Sequence, residues 1–231
     1  MSELVLGQLA PLAVLGALLG LDVVAFPQAM LSRPIVAATL TGGFLGVPER
    51  GLLVGVALEF FALESMPFGA TRYPEWGSAS VVGAALFAPV AEGTAGAMLL
   101  AVLVALGTAG LGGSSVHLLR RVNAALARRQ QVRIARGSGS AVVALQLAGL
   151  TADLVRGGLL TVAVLLVARP ATTALLGALT VSATLSRAMV VGTASAVGLA
   201  ALWKLGRTTP GAPWYLAVGL GAGFALAGGL L

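Results

Sequence analysis

Residues 33–75 read RPIVAATLTGGFLGVPERGLLVGVALEFFALESMPFGATRYPE, and this stretch decides how the rest of the chain is understood. It contains two apolar pieces, 34–47 and 51–66, each shorter than the roughly 20 residues that a membrane-spanning helix needs. Glycines recur through both, at Gly42, Gly43, Gly46, Gly51 and Gly55, and the second piece carries Glu59 and Glu64 inside an otherwise apolar run. Short, glycine-broken segments bearing carboxylates are expected to form re-entrant or discontinuous helices, because irregular backbone at membrane depth is tolerated only against protein or a hydrated cavity.

Working outward, composition places the whole chain in a membrane. Over 231 residues 58% are hydrophobic and only 10% charged, and the mean hydropathy is +0.99. A soluble globule of this size cannot bury so much apolar surface. The expected fold class is an all-α polytopic membrane protein. The opening apolar run, 4–26, has no upstream basic region and no small-residue cleavage site, so it is expected to remain as a membrane segment and not as a signal peptide. The net charge of +6 does not point to nucleic acid, since no aromatic residues interleave with the arginines. With no cysteine and the single His117, disulfides, thiolate chemistry and histidine metal clusters are excluded. No P-loop, dinucleotide fingerprint or nucleophile elbow is present either. No catalytic residue, metal site or cofactor is expected.

Polar groups inside apolar runs are the candidate binding residues, because a charge at membrane depth is costly and is seldom left facing lipid. Asp22 and Gln28 flank Pro27 at the end of the first segment. Asp22 suits either the membrane interface or a polar cavity. Further on, 78–90 is a short apolar piece closed by a turn at 89–93, and 94–111 is a clean apolar run. The stretch 114–136 then places Val116, Leu119, Val122 and Leu126 at helical spacing among Arg120, Arg121, Arg128, Arg129, Arg133 and Arg136. It reads as a basic amphipathic helix lying on the cytoplasmic membrane surface, against lipid headgroups or a soluble partner. Gly137 to Ser140 form a joint, so the chain divides into a membrane half 1–113, the basic helix and linker 114–140, and a second membrane half 141–231.

In the second half, 141–167 is long enough to span and holds Asp153 and Arg156, which share a helix face at i, i+3. They form a structural ion pair or a part of the binding site. A short apolar piece, 170–185, and a further one, 188–202, lead to Lys204 and Arg207 at a second basic edge. The last segment, 214–231, is rich in Gly, Ala and Leu, which suits close helix packing.

The stretch 33–75 resembles the membrane subunit IIC of the mannose, fructose and sorbose family of the phosphoenolpyruvate-dependent sugar phosphotransferase system. The resemblance rests on Arg33-Pro34, the glycines at 42, 46, 51 and 55, Leu58-Glu59, Gly69-Ala70 and Pro74-Glu75. Weaker similarity extends to Asp22, Gln28, Arg156 and the run from Trp214. Val47 stands where the family has Asp or Asn, Val56 where glycine is common, Pro67 where it has Asn, and Glu75 where it has Asp.

The resemblance implies a non-catalytic subunit with no phosphorylated residue of its own. It would bind a hexose-class sugar in the bacterial cytoplasmic (inner) membrane, working in a hetero-oligomer with a IID-like membrane subunit and a soluble IIB-like phosphoryl donor. Glu59, Asp22, Gln28, Glu75 and Asp153 are the expected sugar-contacting residues. For Glu59 the alternative is a structural pair with Arg33 or Arg156. The missing polar groups at 47 and 67 leave a second function open, a transport-inactive scaffold or sensor that regulates the soluble phosphotransfer proteins.

Overall fold

The structure is a computed structural model that describes residues 3–23, 25–63, 73–90 and 95–178, with positions 210, 211, 214 and 217–219. It is all-helical over the described residues, in the order α1 (Glu3–Leu21), α2 (Pro34–Phe44), α3 (Pro48–Ala62), α4 (Trp76–Phe87), α5 (Ala95–Ala135) and α6 (Gly139–Ala178). All six belong to one compact unit, residues 1–186; the second, 187–231, is described only at the isolated positions above. The apolar pieces expected at 188–202 and 214–231, with Lys204 and Arg207, therefore fall almost wholly outside the described residues, as do Glu64, Pro67, Gly69 and Ala70.

The short pieces of 33–75 are short helices. Pro34 and Pro48 each occupy the first turn, where a missing N–H removes no helical bond. Between them the chain reverses through Gly46, which adopts the left-handed φ of +82° that side-chain-bearing residues avoid. The returning helix packs backbone against backbone: a Cβ added to Gly51 would lie 2.2 Å from the Ala38 carbonyl oxygen, and one on Gly55 would lie 2.8 Å from Ile35 Cα. The glycines that looked like breaks are the contact surface between α2 and α3.

At the centre lies α4, whose 12 residues are all buried. It packs against α1, α2, α3, α5 and α6. Its sequence, WGSASVVGAALF, is dominated by small residues, and in hydrocarbon it is their close approach, not exclusion from lipid, that holds helices together. Glu75 caps its first turn by accepting from the Ser78 N–H at 3.0 Å. Arg50, from the first turn of α3, donates to the Ala88 and Val90 carbonyls at the other end.

The two long helices depart from the sequence expectation. The basic stretch 114–136 is not a separate surface helix; it is the C-terminal part of α5, which has 41 residues. Chain from 91 to 169 contains no proline, and Gly112 and Gly113 are contacts: a Cβ on Gly112 would meet Glu75 Cβ at 2.8 Å, and one on Gly113 the Tyr73 carbonyl at 2.2 Å. A helix of this length extends about 60 Å, roughly twice the hydrocarbon thickness, so its arginine-rich end projects beyond the membrane. Both α5 and α6 are long and apolar enough to cross. They are joined at Gly137 (φ +78°), where Ser138 N–H bonds Arg133 O and Gly137 N–H bonds Ile134 O, the paired arrangement that closes a helix on glycine.

The pieces expected at 141–167 and 170–185 are likewise one helix as far as Ala178, with Pro170 in its interior. Pro170 has no N–H to give the preceding turn. Nearby carbonyls gain side-chain donors instead, Thr172 Oγ1 bonding Ala168 O at 2.8 Å and Thr173 Oγ1 bonding Arg169 O at 2.9 Å. Large apolar side chains such as Leu103, Leu111, Leu159 and Val167 stand more than half exposed along α5 and α6, as lipid-facing residues do.

Candidate functional site

Sequence reasoning named five binding residues, and the fold sorts them into two clusters. The first lies where α1 ends. Asp22 is buried and folds the following loop onto itself: Oδ1 accepts from the Ala29 N–H at 2.7 Å, while Oδ2 accepts from the Ser32 N–H at 2.9 Å and the Ser32 hydroxyl at 3.0 Å. These bonds hold Gln28 and Met30 at a φ of +60°, a conformation that costs a non-glycine residue about 1–2 kcal/mol. The same bonds end α1 at Leu21, short of the expected Phe26, because the chain turns back toward Asp22 instead of continuing.

The folded loop walls a cavity of about 440 Å³ lined by Asp22, Gln28, Ser32, Arg33, Leu63 and Trp76, among others. This is within the roughly 300–1,000 Å³ of small-molecule pockets. Arg33 reaches from this wall to Glu59 on α3, with which it forms a salt bridge. The second Glu59 oxygen accepts from the Ile35 N–H at 3.2 Å, so this carboxylate also caps α2. Of the two partners that the sequence left open for Glu59, the fold selects Arg33. The pair is accessible from one side, the Arg33 side chain being 41% exposed and that of Glu59 13%.

The second cluster is buried. Glu75 and Asp153 converge on Arg156.

 Arg156 Nε donates to Asp153 Oδ1 at 2.7 Å and its Nη1 to the Ser115 hydroxyl at 3.1 Å, while Nη1 lies 3.8 Å from Glu75 Oε2. Glu75 is 1% exposed. Glu75 Oε2 and Arg156 Nη2 are buried without a hydrogen-bond partner of their own. Glycine makes the approach possible, since a Cβ on Gly20 would lie 2.9 Å from Ser78 Oγ and 3.3 Å from Glu75 Oε1. The cluster ties α4, α5 and α6 together beside α1, and Ser78 Oγ donates to the Gly16 carbonyl at 3.1 Å to bring α1 in.

Chemically, the first cluster offers donors and acceptors around an open space, and the second is a buried charge network. Among the described residues no group of three or more His, Cys, Asp and Glu side chains is placed to hold a metal. His117 is half-buried on α5. Sequence reasoning missed Ser32, Trp76, Ser115 and Arg50 as parts of these clusters. Ser115 was hidden by the reading of 114–136 as a surface helix. Ser32 had a local signal, a serine beside the Arg-Pro that opens α2. Val47, which stands in place of the family's Asp or Asn, proves to be the N-cap of α3 and makes no side-chain capping bond.

Comparison with solved structures finds one described as "Structure of membrane protein", with a TM-score of 0.71 and 20% sequence identity, covering 99% of this chain and 87% of that one. At that identity the likeness establishes the fold. No curated protein sequence matches the chain. The family described as "PTS system sorbose-specific iic component" matches residues 6–229, nearly the full length. A chain matched end to end by that family, and folded as helices around a buried centre, belongs to the sorbose-type IIC components of the phosphotransferase system, the sugar-transport membrane subunits of the mannose, fructose and sorbose family.

Proposed function

We propose that this chain is the sugar-binding and translocating IIC subunit of a bacterial phosphotransferase permease. In this reading it crosses the cytoplasmic membrane several times, works in a hetero-oligomer with a IID-like membrane subunit, and hands a hexose-class sugar to a soluble IIB-like subunit for phosphorylation. The observation that carries the reading is the cavity of about 440 Å³ where Asp22, Gln28, Ser32 and Arg33 meet. Arg33 presents donors and Glu59 presents acceptors, a combination suited to vicinal hydroxyls, and hydrogen bonds to charged groups are roughly twice as strong as neutral ones. Asp22 shapes the loop and offers its remaining lone pairs to the ligand, and Gln28 supplies an amide. Glu75 and Asp153, paired with Arg156, are the remaining sugar-contacting residues of this reading.

Glu59→Gln and Glu59→Ala test this with the IID-like subunit co-expressed. Sugar binding should be partly kept by Gln and lost with Ala, while both variants assemble normally. If both variants lower the amount of assembled complex and the surviving protein binds sugar with unchanged affinity, Glu59 serves only its pair with Arg33. The second reading, a transport-inactive scaffold that regulates the phosphotransfer proteins, is favoured by Val56, 38% exposed where the family commonly has glycine. Genes for IIB-like and IID-like subunits next to this one support transport; neighbours of the IIA-like and kinase-like kinds alone support regulation.

A further inference from the structure

We infer that Arg169 forms a binding site for an anionic phospholipid. It lies in a cavity distinct from the one described above, of about 610 Å³, lined by Gln8 and Leu9 of α1, by Leu86, Pro89 and Val90 at the end of α4, and by Leu165, Leu166, Arg169 and Leu176 of α6. Arg169 is the charged side chain among these lining residues, and its Nε–H is buried with no hydrogen-bond acceptor. A buried guanidinium donor without an acceptor is unfavourable, so a ligand supplying an acceptor there is favoured.

The chemistry of that ligand follows from the walls. Thr172 and Thr173 point their hydroxyl protons at backbone carbonyls, so the donors left for a ligand come from Arg169 and the exposed Gln8 amide. Among the described residues of this wall the one charge is the Arg169 cation, and a guanidinium matches phosphate oxygens in its planar fork. The remaining wall is leucine, proline and valine, which suits acyl chains and not a free ion. Its position also fits. Helix α6 rises about 20 Å between Arg156 and Arg169, and the cavity sits where α4 ends and before α5 begins, on the membrane side opposite the arginine-rich end of α5. An arginine this far along a spanning helix reaches the headgroup level of that leaflet.

The purified full chain, stripped of native lipid in detergent, is titrated with dioleoyl phosphatidylglycerol, with dioleoyl phosphatidylcholine and with inorganic phosphate alone, reading bound lipid by native mass spectrometry and the melting temperature. Phosphatidylglycerol should bind saturably and raise the melting temperature more than phosphatidylcholine does. Arg169→Gln should weaken phosphatidylglycerol about tenfold, the loss of one charge-assisted contact, and Arg129→Gln, on the exposed basic end of α5, should leave it unchanged. Ala174→Trp, which fills the cavity and keeps the charge, should also weaken binding; should Arg169→Gln fail to fold, this variant decides. Equal affinity for the two lipids, an Arg169→Gln variant with undiminished preference, or an Ala174→Trp variant that binds normally overturns the site. Full competition by inorganic phosphate overturns the lipid as its ligand.

Discussion

Glu75 and Arg50 bracket one buried helix, the carboxylate bonding the Ser78 N–H at its start and the guanidinium the Ala88 and Val90 carbonyls at its end. Each charge sits at the helix end whose dipole favours it, and each satisfies backbone groups that lipid cannot. Arg50→Met should therefore lower the melting temperature of the purified protein, at a cost of about 1–3 kcal/mol for carbonyls that lose a charged donor. Arg50→Lys should recover part of the loss. A melting temperature unchanged in Arg50→Met would mean that water reaches this end of α4.

Arg156 holds two acids at once, so its removal strands buried negative charge. Arg156→Met should destabilise by about 3–5 kcal/mol, the usual cost of breaking a buried pair. Adding Asp153→Asn to that variant should restore part of the stability, because one of the two carboxylates left behind is then neutral. A double variant no better than the single one would show that the two charges are not coupled.

The contact between α2 and α3 predicts a contrast between two glycines. A Cβ at Gly51 would lie 2.2 Å from the Ala38 carbonyl, whereas one at Gly43 finds nothing nearer than Pro48 Cβ at 4.0 Å. Gly51→Ala should cost about 1–3 kcal/mol through overpacking. Gly43→Ala should be neutral or gain up to about 1 kcal/mol, as helix propensity favours alanine. Equal effects of the two on thermal unfolding would contradict the packing.

Val47 is an N-cap without a capping side chain. Val47→Asn should stabilise α3 by about 1 kcal/mol, since an N-cap side-chain oxygen can accept from a first-turn N–H. If instead sugar binding changes while the melting temperature does not, position 47 matters to the ligand and not to the helix.

The turn between α5 and α6 tests orientation. By the positive-inside rule, the exposed arginines that precede it predict a cytoplasmic turn. In a chain with no native cysteine, Ser138→Cys should resist a membrane-impermeant thiol reagent in intact cells and react in inverted vesicles. The reverse pattern would invert the topology.

By itself the sequence determined the membrane class, the short helices on either side of Pro48, the end of α4 before Pro89 and the turn at Gly137. These are local properties: apolar length, a proline without an N–H, and a glycine free to take positive φ. It did not determine where α5 and α6 run on. Pro170 looks like a break along the chain, and only neighbours such as Tyr73 and Glu75 show Gly112 and Gly113 to be helix contacts. Nor did it determine which charges meet. Arg33 joins Glu59 across 26 positions and Arg50 joins Val90 across 40. Only the tertiary structure decided these pairs, because the partner of a buried charge depends on which helices lie side by side, and helical periodicity carries no record of that.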